Sequence, residues 1–132
     1  MKVLRTSLYA GAAVWAASGL ALAIAPHYLI HELFRNPFIR DWALIRTLGV
    51  VAIGMAMLMV LVAQRLEDVW WWAWAFIVTT AGIATVNGLH AAFGDRSGRA
   101  QTMFWLIAAV NAVLCAGLIL GMGRTAQEKP FA

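Results

Sequence analysis

Four long apolar runs, at residues 7–25, 43–63, 69–93 and 102–123, leave this 132-residue chain few ways to fold. An α-helix rises about 1.5 Å per residue, so roughly 20 apolar residues cross the ~30 Å hydrocarbon core of a bilayer. Each run meets that length, and what lies between them is too short for a water-soluble domain. The chain therefore reads as an all-α, polytopic membrane protein: residues 1–132 make one four-helix transmembrane bundle, with a loose polar tail at 124–132. Only residues 64–68 separate the second run from the third, which predicts an antiparallel hairpin. The first run, preceded by Lys2 and Arg5, also has the outline of a secretory leader. It exceeds the usual apolar region of a leader and holds Trp15, so a retained first helix is expected.

Charge agrees with this reading. Ten Lys/Arg and six Asp/Glu are too few to cover the surface of a domain this small in water. The net charge of +4 comes from scattered basic residues rather than a stripe, which argues against nucleic acid as a partner. Cys115 is the sole cysteine, so disulfide-exchange chemistry, which needs paired thiols, is excluded. Four spans put both termini on one side. Lys2, Arg5, Arg65, Arg124 and Lys129 lie on that side and Arg35, Arg40, Arg96 and Arg99 on the other, and the small basic excess predicts cytoplasmic termini. Seven tryptophans mark both interfaces: Trp70, Trp71, Trp72 and Trp74 crowd the start of the third span, while Trp42 and Trp105 open the second and fourth.

The first loop carries a further element. At about 100° per residue, Leu29, Ile30, Leu33 and Phe34 share one face and His27, His31, Glu32 and Arg35 the other, which predicts a short interfacial amphipathic helix over 27–35. Pro26 suits its start and Asn36-Pro37 its end.

Most polar residues with chemical potential fall at the surface opposite the termini: His27, His31, Glu32 and Asp41 in the first loop, Arg46 in the second span, Asn87 and His90 in the third, and Asp95 beyond it. A guanidinium at the hydrocarbon edge must snorkel or find a partner, and Asp41, Glu32 and Asn87 are the candidates for Arg46. Thr80, Asn87 and His90 recur at helical spacing, with Thr79 on the flank, so this stripe should face the bundle and meet Asn111 and Gln101 of the fourth span. Arg46, Asn87, His90, His31 and Glu32 are thus the candidate ligand-binding set; no catalytic residue is assigned. His27 and His31 lie four residues apart, a spacing found in metal sites, but three histidines fall far short of the iron desaturase pattern and no metal is assigned. No cofactor is assigned either. Haem would draw on His90 as the one histidine in a spanning run, whereas such sites usually take both ligands from spanning helices. Gly117 and Gly121 form a GxxxG, and Gly49 and Gly54 lie in the second span; these glycines, with Asn111, are the candidate helix-packing positions.

The run Ile45-Arg46-Thr47-Leu48-Gly49, with Gly54 after it and Ala25-Pro26 closing the first span, resembles the DoxX-like four-helix bacterial membrane proteins, many of unknown function. The resemblance covers nearly the whole chain and implies a compact bundle in the bacterial inner membrane; some of these proteins accompany quinone-linked redox complexes. It brings no catalytic residue. Two functions follow as expectations. One is an accessory or structural subunit packing, through the bilayer, against a larger complex or a second copy, with respiratory or other redox complexes the implied class. The other is a binding protein or enzyme for a quinone or lipid-like ligand, with a pocket around Arg46, Asn87 and His90. A transporter fits least, since no span is visibly broken and no acid lies within the membrane.

Overall fold

The computed structural model describes residues 1–128, and every regular element among them is helical. In chain order these are α1 (Lys2–Ile24), a π-helical turn (Tyr28–Leu33), α2 (Trp42–Gln64), α3 (Leu66–Val69), a 3₁₀ turn (Trp70–Trp72), α4 (Ala73–Phe93) and α5 (Gly98–Glu128). Four stretches are long and apolar enough to span a membrane: Lys2–Ile24, Trp42–Gln64, Leu66–Phe93 and Gly98–Glu128. Their outward faces are what a lipid solvent requires. Val50, Met57, Val78, Val86, Val113 and Leu120 are each more than 60% exposed, yet their helices satisfy their own backbone hydrogen bonds.

The helices pack unevenly. α1 lies against both α2 and α5, and α4 lies against α5, whereas α2 and α4 hardly touch. The end that carries the termini and the 65–72 turn, called here the terminal end, holds a dense core of Leu4, Leu8, Met59, Val62, Leu66, Trp70, Phe76, Leu118 and Met122. Glycines set the close approaches. A Cβ on Gly121 would lie 2.6 Å from Leu4 Cα, and one on Gly117 would lie 3.0 Å from Ser7 Oγ, so the GxxxG of α5 faces α1. At the opposite, loop end of the bundle Gly19 and Gly49 cross, each with its carbonyl oxygen 2.6 Å from where the other's Cβ would be. Gly54 differs from expectation: it is exposed, and a Cβ there would meet nothing within 4 Å.

Several boundaries move for physical reasons. The hairpin expected over 64–68 shrinks to Arg65, because its carbonyl accepts the N–H groups of Asp68 and Val69 while its own N–H bonds Leu61. Glu67 and Asp68 then sit in the first turn of α3, where the helix dipole favours them. The tail expected to be loose from residue 124 continues as helix to Glu128, since Thr125 is fully buried and its hydroxyl bonds Gly121 O at 2.9 Å; residues 129–132 lie outside the described residues. In the first loop the expected amphipathic helix is a single π turn. Ile30 is buried as predicted, but Leu33 is 45% exposed, because the wider π pitch rotates residues off an α-helical stripe.

Candidate functional site

The loop end gathers the polar side chains of the candidate site, and the structure divides them into separate clusters. In the first, the π turn brings His27 and His31 together, with ring centroids 4.9 Å apart. Both rings also pack on Trp42 at the start of α2, at 5.3 and 4.9 Å. His31 Nε2 donates to the Ile39 carbonyl at 3.1 Å, tying the turn to the irregular segment that leads into α2. The Asp41 carboxylate caps α2 by accepting the Leu44 N–H at 3.0 Å. Beyond the π turn Arg35 takes a left-handed conformation, φ 49°, and Asn36 is wholly buried, accepting the Phe38 N–H through Oδ1 while its Nδ2 has no partner.

The second cluster ties the two loops together. The Arg96 guanidinium contacts the rings of both Phe38 and Phe104, 5.4 and 4.9 Å from their centroids, and Phe104 in turn meets the His90 ring at 4.9 Å, tilted by 54°. A residue of the first loop, one of the α4–α5 turn, one of α5 and one of α4 thus form a single chain of ring and cation–π contacts at the loop end. His90 also borders a shallow outward groove of about 520 Å³ with Val86, Leu89, Phe93 and Gly94.

The expected pocket does not assemble around these clusters. Arg46 is exposed and has no hydrogen-bond or ion-pair partner among the described residues. It lies one turn before Gly49, which is buried against Gly19 of α1, so it flanks the α1–α2 crossing and does not meet Asn87 or His90. Asn87 donates to Ile83 O of its own helix at 2.8 Å, and Asn111 likewise to Ile107 O at 2.9 Å. The expected inward stripe holds only in part: Thr80 is buried and Asn87 half-buried, but His90 is exposed on the outward groove, the two asparagines make no bond across helices, and Asn111 Oδ1 is left buried and unpartnered. Gln101 does cross, donating to the Ala91 carbonyl at 2.9 Å in the last turn of α4, where a helix leaves its carbonyls unfilled. Glu32 is exposed and in no ion pair among the described residues. Thr80 is fully buried but spends its hydroxyl on Phe76 O.

Among the expected interface anchors, Trp71, Trp72, Trp74 and Trp105 are about half exposed, while Trp70 is buried in the core and Trp42 is half-buried in the histidine cluster. Sequence reasoning missed Gly19, which faces Gly49, and the Arg96 contacts. Gly19 could have been suspected from the alanine-rich surroundings of α1; nothing in the spacing of Phe38, Arg96 and Phe104 signals their contact.

Fold and surface together define a class: an all-α polytopic membrane protein built on four apolar helices. Compared with protein-family models, curated proteins and solved structures, the chain matches none.

Proposed function

We propose that this protein is an accessory subunit that packs through its outer helical faces against a larger membrane complex. The observation that carries the reading is Arg46: an exposed, permanently charged side chain near the start of apolar α2, without a partner among the described residues and with exposed Val50 one turn beyond it. Such a group is stabilised by an acid or a carbonyl on another chain, or by snorkelling to the interface. The failure of Arg46, Asn87 and His90 to converge supports this reading over a ligand pocket. The resemblance to DoxX-like proteins, carried by Arg46, Gly49 and Gly54, suggests a redox complex as the kind of assembly and the bacterial inner membrane as the place.

Purification in mild detergent from native membranes, followed by identification of co-purifying chains, tests this. A stoichiometric membrane partner that is lost in Arg46→Ala while the subunit itself stays folded is the expected result. Wild-type protein that emerges alone, at the mass of one chain plus its micelle, overturns it.

A further inference from the structure

We propose that His27 and His31 form a surface site for a borderline divalent transition cation such as Zn²⁺, Ni²⁺ or Cu²⁺, held by two imidazoles and completed by water. Spacing alone does not carry this; the placement of the rings does. A metal–nitrogen bond of about 2.1 Å puts each ring centroid roughly 3.2 Å from the ion, so rings on adjacent coordination positions, roughly 100° apart, have centroids near the 4.9 Å observed.

The His31 hydrogen bond is the second observation. A carbonyl oxygen only accepts, so Nε2 of His31 bears the proton that bonds Ile39 O, and the lone pair is left on Nδ1. Metal-ligating histidines commonly have the other ring nitrogen held in this way, which fixes tautomer and ring orientation in advance. Trp42, in contact with both rings, restrains them further. His27 is exposed, so an ion can enter, and neither imidazole is engaged by an acid among the described residues. No third His, Cys, Asp or Glu joins the pair among those residues, which makes the site open, with weaker binding than a closed structural zinc site.

The test uses the full chain with every affinity tag removed, in detergent micelles, titrated with Zn²⁺ and Ni²⁺ by calorimetry and with Cu²⁺ by tryptophan fluorescence. One saturable ion per chain is expected, with affinity falling at least tenfold in both His27→Gln and His31→Gln and holding in His90→Gln. Trp42→Phe should keep the stoichiometry but lose most of the copper quenching. Circular dichroism and monodisperse elution establish that each variant is folded; His27 is exposed and tolerates glutamine. Absence of saturable binding overturns the proposal, as does equal affinity in wild type and His27→Gln. The site is independent of the subunit reading, because it is measured on the isolated chain.

Discussion

Gly49→Ala should destabilise the bundle by about 2 kcal/mol, a single methyl outweighing the usual preference of helices for alanine. The new Cβ would lie 2.6 Å from Gly19 O and 2.7 Å from Ala23 N, whereas ordinary contact begins near 3.4 Å. Both obstacles are backbone atoms within α1, so no rotamer relieves them, and the helices must part by roughly 0.8 Å. A gap of that size forfeits between about a quarter and a half of each dispersion contact across it. The affected contacts include those that Ala52 and Ile53 of α2 make beside Gly19. Against this, replacing a helical glycine returns at most about 1 kcal/mol. Gly54→Ala is the internal control, since the same chemical change on the same helix meets nothing within 4 Å and should be neutral or stabilising by up to about 1 kcal/mol. Reversible unfolding in mixed micelles, followed by circular dichroism, reads the difference. Equal stabilities for the two variants would refute the close crossing of α1 and α2.

Asp41→Ala removes the acceptor of the Leu44 N–H and should lower stability by about 1 kcal/mol in the same unfolding assay, while Asp41→Asn retains most of it. Arg96→Ala breaks both ring contacts, each worth about 0.5–1 kcal/mol at an exposed site, and amide exchange over residues 26–41 should quicken without a change in helix content. Asn111→Leu deletes a buried oxygen that has no partner and should be neutral or stabilising by about 1 kcal/mol; clear destabilisation would show that Oδ1 is satisfied in the membrane.

What could be read from the sequence was set by solvent. Length and apolarity fix the number of spans, because a chain in lipid must close its backbone hydrogen bonds within each segment. Thus four spans and the inward face of the GxxxG were legible. Helix ends were less so: an apolar run says where the hydrocarbon lies, while α5 continues to Glu128 because of Thr125 burial, which no hydropathy window detects. The site was the least legible part. Asn87 and Asn111 were expected to bond each other's helices, but a carbonyl one turn back on the same helix is always within reach, and both amides use it. Arg46 was expected to find a partner in Asp41, Glu32 or Asn87, but its direction depends on the rotation of α2, which the Gly19–Gly49 crossing sets and a single chain pattern does not reveal.

The two ends of the bundle are stabilised by different physics. At the terminal end, apolar side chains from α1, α2, α4 and α5 interlock in one core, and Trp70 closes it from the 3₁₀ turn. At the loop end the buried side chains of α4 and α5 are mostly small, Ala91, Ala100 and Ala108 with Met103, and the loops are held by a histidine–tryptophan cluster and by one guanidinium in contact with two rings. These loop contacts are partly exposed and polar, which places them among the parts of a fold that open first. The same end carries the π turn, the left-handed Arg35 and the unpartnered Asn36 amide, departures from ideal geometry that persist only where the surroundings impose them. Backbone amides of the loop end should therefore exchange with solvent before those of the dense core near the termini, and equal protection at the two ends would refute this division.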